Sequence, residues 1–224
     1  MPKFHIPRTQ AHVGGMYTGK TKTLIDLVLR AIQLRNEETV IVTPAIDTRP
    51  HTNSLAIVED HDGRPLLPHP LLTHVVLPEH GPAPELPSSV QRVVIDEAQF
   101  FGKWVSGWVD ALALRDVYVD VFALDTDYQG RSWPTTGEIL AVVDAIVKHH
   151  GICARCGGES SRTQRLTNSP GKVLVGGDGL YESRCRRCHT LPERHTEPSD
   201  GRAVFSYPTD ADGCSPAESE ETGP

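Results

Sequence analysis

Residues 14–21 combine glycines, a lysine and a threonine at the spacing of a loop that binds phosphate groups. They read Gly-Gly-Met-Tyr-Thr-Gly-Lys-Thr and fit G-x-x-x-x-G-K-[ST] at every fixed position. Such a loop curls until its backbone N–H groups point at one anion, and the helix that follows adds partial positive charge. The motif predicts that Lys20 reaches the β- and γ-phosphates of ATP and that the Thr21 hydroxyl ligates Mg²⁺. The predicted ATP-binding residues of this P-loop are Gly14, Gly15, Met16, Tyr17, Thr18, Gly19, Lys20 and Thr21.

Two adjacent carboxylates, Asp96 and Glu97, follow an apolar run at residues 93–95. Unpaired charges at the end of a buried strand are costly, so a cationic partner is expected beside them. Mg²⁺ and Lys20 would supply that charge, and in P-loop proteins an acid at this place holds the metal. Asp96 is therefore predicted to bind Mg²⁺, which leaves Glu97 to act as a general base. The alternative is that the two acids only end a strand and cap a helix.

Four of the five cysteines form two C-x-x-C pairs, whereas Cys214 stands alone near the C-terminus. The pairs enclose 28 residues with few apolar side chains, so a metal that joins both pairs would clamp the ends of that segment. A closed shell of four thiolates has no open position for water, which predicts a structural Zn²⁺. The predicted ligands are Cys153, Cys156, Cys185 and Cys188. His189, which adjoins Cys188, is the alternative fourth ligand.

The elements that must position these groups alternate between strand and helix. We predict strands at residues 11–13, 39–43, 72–77, 93–95 and 117–124, because these runs are apolar or β-branched. Helices are predicted at 21–33 and 137–149, where apolar residues recur on one face. Strand, helix and strand in succession form a βαβ unit, so the pattern indicates an α/β fold with a parallel sheet.

Asp47 and Arg49 come just after the second predicted strand, at the sheet edge where ligands of open α/β sheets bind. They are candidates for contacts with ATP, and a surface ion pair is the alternative. The following segment, 51–89, has no assigned fold. Seven prolines between residues 65 and 87 prevent long helices, and the acidic run at 59–63 suggests a mobile loop.

Charge and hydropathy exclude several classes of partner. The formal charge is −7, of which −6 lies after residue 191, so the rest of the chain is nearly neutral and has no basic stripe for nucleic acid. No apolar run approaches the roughly 18–20 residues of a membrane span. The N-terminus lacks the apolar region of a signal peptide, so we expect a cytoplasmic protein without a membrane partner.

Taken in order, these motifs resemble the zinc-containing, or type II, class of thymidine kinases over residues 13–189. Each mark is weak alone, but eight of them occur in the same order. They are the P-loop at 14–21, Asp-Thr-Arg at 47–49, His-Asp-Gly at 61–63, Asp-Glu-Ala-Gln-Phe at 96–100, Leu-Asp at 124–125 with Tyr128, Thr163-x-Arg165, Val-Gly-Gly at 175–177 with Tyr181, and Cys-Arg-Arg-Cys-His at 185–189.

The resemblance implies an enzyme that transfers the γ-phosphoryl group of ATP to the 5′-hydroxyl of thymidine, with Mg²⁺ and a structural Zn²⁺. It implies a P-loop kinase domain of the RecA-like class over residues 1–150 and a zinc domain over 151–191 that closes over the nucleoside as a lasso. It also implies a homotetramer and points to thymidine triphosphate as a feedback inhibitor. Residues 192–224 have the acidic, proline-containing composition of a disordered tail.

The resemblance also distributes roles by position. Glu97 matches the catalytic base, and Gln99 is placed with Asp96 among the ATP-binding residues. The walls of the thymine pocket match Met16, Phe100, Leu124 and Tyr128. The lasso that binds the base matches Tyr181 and the backbone of Lys172, Val173, Leu174, Val175 and Gly176.

Three features depart from the family pattern: Gly15 where proline is common, Tyr128 where phenylalanine is common, and the proline-rich segment 64–89. They leave the phosphate chemistry intact but bear on base selectivity. Three alternatives stay open. Residues 96–99 also look like a helicase box, which would indicate a nucleic-acid-dependent ATPase. The others are a zinc-ribbon interaction module with a vestigial P-loop and a kinase of another nucleoside.

Overall fold

Strands and helices alternate along the computed structural model, which describes residues 8–47, 55–167 and 179–190. The first elements are β1 (Thr9–Gly14), α1 (Lys20–Leu34), β2 (Thr39–Pro44), β3 (Val58–Glu59), β4 (Pro65–Leu66) and β5 (Leu72–Leu77). The next are β6 (Arg92–Ile95), a short 3-10 helix (Ala98–Phe100), α2 (Trp104–Leu114), β7 (Tyr118–Leu124), α3 (Pro134–Val142) and β8 (Ala145–Lys148). The last are β9 (Gly151–Ile152), β10 (Glu159–Ser160), β11 (Arg162–Arg165) and β12 (Tyr181–Arg184).

Six strands form one parallel sheet in the order β5-β2-β6-β7-β1-β8. The predicted strands and the helix after the P-loop are therefore confirmed, as is the α/β class. The strand that leads into Asp96 is separated from the P-loop strand by β7 alone. Because all six strands are parallel, their carboxyl ends meet at one edge of the sheet.

Both faces of the sheet are covered. On one face the α1 residues Leu24, Ile25 and Val28 pack on side chains of the central strands, including Phe122. On the other face α2 and α3 pack on Val93, Ile95 and their neighbours. Strands buried on both faces read as continuous apolar runs, which is why the sequence revealed them.

The predicted helix over residues 137–149 is wrong in its second half. Helix α3 ends at Val142, and residues 145–148 form β8, which pairs in parallel with β1. Asp144 fixes the change of direction, because its carboxylate accepts from the Thr9 N–H at 3.0 Å and its own N–H donates to the Thr9 hydroxyl at 2.8 Å. Ala145, Ile146 and Val147 then complete an edge strand, so tertiary pairing overrides the helical spacing.

Residues 45–71 cross from β2 to β5 without a helix in their described part, as the prolines suggested. The segment 59–63, where the sequence suggested a mobile loop, leads from β3 through the turn of the β3–β4 hairpin. The Asp60 carboxylate accepts from the backbone N–H groups of Asp62 and Arg64 at 3.0 and 2.9 Å, which fixes the turn.

Helix α2 was not predicted. None of the helices in the described ranges has the length and apolar character needed to cross a bilayer.

A buried charged cluster lies on the α1 face, near the amino ends of the central strands. The Arg92 guanidinium donates to Glu37 at 2.7 Å and to Asp120. His12 lies beside them, with Nε2 3.9 Å from the Asp120 carboxylate and its ring stacked on Phe122 at 4.4 Å. Sequence reasoning missed this cluster, because an isolated charged residue in a strand does not reveal its partner.

We expect His12 to make the fold sensitive to acid. Burial, together with nearby His149, lowers the pKa of His12 from 6.5 to about 4. The unfolded chain therefore binds this proton more readily, so the contribution to stability is complete above pH 6.5 and disappears as the pH falls towards 4. The loss should reach about 3 kcal/mol.

Urea unfolding measured between pH 7 and 4 tests this expectation. A His12→Gln variant should lose part of the pH dependence, whereas a His80→Gln control, on an exposed histidine, should keep all of it. If the free energy of unfolding changed equally with pH in the two variants, His12 would not be the group that makes the fold sensitive to acid.

Candidate active site

Four strand ends bring the predicted chemistry to one edge of the sheet. Strand β1 leads into the P-loop, β2 into Asp47, β6 into Asp96 and Glu97, and β7 ends at Leu124. These segments surround a cavity of about 300 Å³, which is at the lower end of the usual volume range of small-molecule sites. The lining residues that the sequence predicted are Met16, Tyr17, Thr18, Gly19, Lys20, Thr21, Asp47, Asp96, Glu97, Phe100, Leu124, Tyr128 and Tyr181.

Two glycines allow the P-loop to take its shape. A Cβ on Gly14 would lie 2.5 Å from the carbonyl oxygen of His149, so no side chain fits there. Gly19, just before α1, has φ +80°, a left-handed conformation that glycine adopts without strain. The Lys20 ammonium lies inside the loop and donates to the carbonyl oxygen of Gly15 at 2.6 Å. Gly14 and Gly15 shape the loop but do not line the cavity.

Glu97 has a backbone conformation that is rare outside glycine. Its φ and ψ are 49° and 40°, in the left-handed region, where a non-glycine residue typically carries strain of about 1–3 kcal/mol. Such strain tends to occur at functional sites, where the surrounding structure holds it in place. The Asp96 carboxylate accepts from the Glu97 N–H at 2.9 Å, so the two acids are fixed relative to each other. Both acidic residues line one cavity together with Lys20 and Thr21.

Aromatic residues form another part of the cavity wall. Phe100 and Trp133 pack edge to face, with ring centroids 5.7 Å apart. The buried Arg165 guanidinium lies 3.7 Å from the centre of the Tyr128 ring and donates to the Tyr181 hydroxyl at 3.1 Å. Arg165 therefore holds the two tyrosines on one side of the cavity. This wall suits a planar ring, which stacks on aromatic faces.

The four predicted zinc ligands come together. The sulfur atoms of Cys153, Cys156, Cys185 and Cys188 all lie within 4.8 Å of one another, and those of Cys156 and Cys185 are 3.8 Å apart. Four sulfurs at about 2.3 Å from a tetrahedral zinc would be separated by about 3.8 Å, so the cluster fits zinc.

Backbone hydrogen bonds stabilise the thiolate of one member of this cluster, Cys153. Burial alone would raise the pKa of Cys153, but N–H groups of Cys185, Cys156 and Arg155 stabilise its thiolate and lower the pKa to about 7. Thiolates are the form that binds metal. His189, the alternative ligand, is within hydrogen-bond distance of another group, since its Nε2 lies 2.9 Å from the Tyr128 carbonyl oxygen.

The cysteine cluster and the two hairpins beside it, β9–β10 and β11–β12, pack against the P-loop. The Met16 N–H donates to the Thr163 hydroxyl on β11 at 2.9 Å. A Cβ on Gly151 would lie 2.7 Å from the Tyr17 carbonyl oxygen, so the two backbones touch. Together with the contact between His189 and Tyr128, these bonds tie the hairpins to two walls of the cavity. The same contacts explain why Tyr181, on β12, reaches the cavity.

Several predicted residues do not line the cavity or are not described. Gln99 is buried behind Glu97 and does not line the cavity. Arg49, the lasso residues 172–176 and the tail 192–224 lie outside the described residues. The sequence did not single out Asp60 or Trp133, and it gave Thr163 only as part of a motif, yet all three line the cavity.

The donor set also fits a magnesium ion. The Thr21 hydroxyl belongs to the first turn of α1, and the Asp96 carboxylate follows β6, so both reach the cavity from different elements. Hydroxyl and carboxylate oxygens, with the phosphate oxygens of a nucleotide, are the ligands that Mg²⁺ prefers. Their roles in metal binding stay a prediction.

Comparison with known proteins agrees with this arrangement. The family model described as thymidine kinase matches residues 9–189. The chain is 36% identical over 185 residues to "Thymidine kinase" of Bdellovibrio bacteriovorus, which covers 81% of this chain and 84% of that protein. It is 33% identical over 190 residues to "Thymidine kinase" of a Rhodothermus species, which covers 85% and 84% of the two chains.

Proposed function

The chain belongs to the thymidine kinase family, and on that premise we propose that it transfers the γ-phosphoryl group of ATP to the 5′-hydroxyl of thymidine. One observation carries the proposal. A complete P-loop, the pair Asp96 and Glu97, and a wall of aromatic residues all line one cavity. The reacting groups of a nucleotide and a nucleoside could therefore meet inside it.

The P-loop would bind the phosphates of ATP. Its backbone N–H groups and the Lys20 ammonium offer positive charge where the transferred phosphoryl group carries negative charge. Thr21 and Asp96 would hold Mg²⁺, which neutralises phosphate charge when it is bound. Positioning and charge neutralisation supply the larger part of the rate in phosphoryl transfer, since the transition state involves little covalent chemistry with the protein.

Glu97 would accept the proton of the 5′-hydroxyl. A primary alcohol holds its proton tightly at neutral pH, so a base must receive it as the new P–O bond forms. Glu97 lines the same cavity as the P-loop and the aromatic residues, which supports its role as the base for a nucleoside bound there. The two residues directly after β6 are Asp96 and Glu97. We assign Asp96 to the metal, which leaves Glu97 as the base.

The aromatic wall would bind the base. Phe100, Tyr128 and Tyr181 line the cavity, and Leu124 adds an apolar surface. We further propose that the backbone of residues 172–176 closes over the base, because main-chain donors and acceptors can match the amide edges of a pyrimidine. Residues 151–191 would then act as a zinc domain that closes the site and excludes water, and residues 1–150 as the domain that binds ATP.

The matches do not favour a nucleic-acid-dependent ATPase or a vestigial P-loop. We also propose a homotetramer and inhibition by thymidine triphosphate, which rest on family membership. Because ATP is a substrate, we place the reaction in the cytoplasm.

Phosphorylation assays with labelled ATP test the proposed function. We expect kcat/KM for thymidine to exceed that for deoxycytidine and deoxyadenosine by at least about 100-fold, because unmatched polar groups in a closed site are costly. The same assay without nucleoside, with and without DNA or RNA, is the control. Hydrolysis of ATP that nucleic acid stimulates, without phosphorylated thymidine, would contradict the proposal.

A further inference from the structure

Gln99 is a buried amide whose orientation is fixed by a backbone group. It is 3% exposed and belongs to the short 3-10 helix that follows Glu97. Its Oε1 accepts from the N–H of Leu124 at 2.9 Å. A backbone N–H can only donate, so the amide atom that faces it must be the oxygen. The Leu124 N–H at the end of β7 therefore determines which end of the Gln99 amide is the oxygen and which is the nitrogen.

The other end of the amide reaches the proposed base. Gln99 Nε2 donates to Glu97 Oε2 at 2.5 Å. A hydrogen bond to a charged acceptor is stronger than one between neutral groups. The bond is partly buried and restricts the rotamer of the Glu97 side chain. One amide thus links a carboxylate that follows β6 to the last residue of β7.

We propose that Gln99 is a positioning residue that aims the Glu97 carboxylate at the nucleoside hydroxyl. The inference rests on the proposed function, in which Glu97 is the base. The left-handed backbone at Glu97 directs its side chain, and the amide holds the end of that side chain. Leu124 lines the same cavity, so the amide also fixes the base relative to the wall of the nucleoside pocket.

This role differs from the direct contact with ATP that the sequence suggested. Gln99 does not line the cavity, and both ends of its amide meet protein groups. A displaced carboxylate should slow proton transfer without weakening the binding of either substrate. The change should therefore appear in kcat and not in KM.

Gln99→Leu and Gln99→Glu test the proposal. Leucine removes both hydrogen bonds, whereas glutamate keeps the shape and the acceptor for Leu124 but turns an oxygen towards Glu97. We expect both variants to lower kcat about 10–100-fold, with KM for ATP and thymidine within about three-fold of the wild type. Wild-type kcat in folded Gln99→Glu would overturn the proposal.

Thr136→Val is the matched control. Thr136 is 1% exposed and donates to the carbonyl oxygen of Leu124 at 2.8 Å. It therefore bonds to the same residue as Gln99, but this bond does not involve Glu97. The Thr136→Val variant removes one hydrogen bond and should leave kcat within about three-fold of the wild type. Thermal unfolding of all variants separates lost stability from lost positioning. If Thr136→Val lowered kcat as much as Gln99→Glu, the effect would be structural and the proposal would fail.

A double variant separates this inference from the proposed function. If Gln99 acts through Glu97, Gln99→Leu should lower kcat little further once Glu97→Gln is present. If the fold losses in kcat of the two single variants multiplied in the double variant, Gln99 would act independently of Glu97 and the proposal would be overturned. An active Glu97→Gln enzyme would instead remove the base assignment itself, which is a different outcome.

Discussion

A Glu97→Gln variant is expected to lose turnover by about 10²–10⁴-fold, the usual contribution of a general base. Glutamine has the size and shape of glutamate but cannot accept the proton of the 5′-hydroxyl. The P-loop and the aromatic wall do not depend on this charge, so KM for ATP and thymidine should stay within about three-fold. The loss should therefore lie in kcat, as expected for a group that acts in the transition state.

Steady-state kinetics and equilibrium binding of ATP and thymidine measure this effect. Glu85→Gln, which removes a carboxylate from an exposed position, is the control and should behave as the wild type. A Glu97→Gln enzyme with a near wild-type rate would show that another group accepts the proton. Loss of ATP binding in this variant would mean that the residue supports the nucleotide site instead.

Loss of the cysteine cluster is expected to have an effect of similar size. Cys185→Ser removes one of four sulfurs that lie within 4.8 Å of one another, so bound zinc and the order of the hairpins should be lost together. These hairpins carry Thr163, Arg165 and Tyr181, which contact the P-loop, Tyr128 or the cavity. We expect kcat/KM for thymidine to fall at least about 100-fold, since a structural zinc site contributes folding energy directly.

Metal analysis and kinetics on the same samples test this expectation. The wild type should contain one zinc per chain, and Cys185→Ser should contain much less. Arg187→Gln is the matched control, because Arg187 is an exposed residue between Cys185 and Cys188 and supplies no sulfur. Full activity in a verified zinc-free sample would refute the structural role of the cluster.

Contiguous motifs were predicted well because their chemistry depends on neighbouring residues. Backbone N–H groups converge on one phosphate only when they come from successive residues, so the P-loop appears whole in the sequence. The C-x-x-C pairs are equally local, and the sequence placed all four cysteines in one cluster correctly. Strands buried on both faces revealed themselves as apolar runs, and the α/β class followed from them.

The failures involve contacts between distant segments. Residues 145–148 have an apolar spacing that fits a helix, but pairing with β1 and the bonds between Asp144 and Thr9 make them a strand. The charged cluster of Arg92, Glu37 and Asp120 was missed for the same reason. Its members are 28 and 55 residues apart in the sequence, and only the fold brings them together.

By itself the sequence determined the phosphate loop, the pair of acids, the cysteine ligands and the parallel sheet, because each is encoded by residue types at short spacing. Only the tertiary structure decided which side chains share the cavity. Trp133 joins Phe100, Thr163 reaches Met16, and Gln99 turns its amide from Leu124 to Glu97. These contacts depend on the register and order of strands, which bring together residues that no local pattern relates.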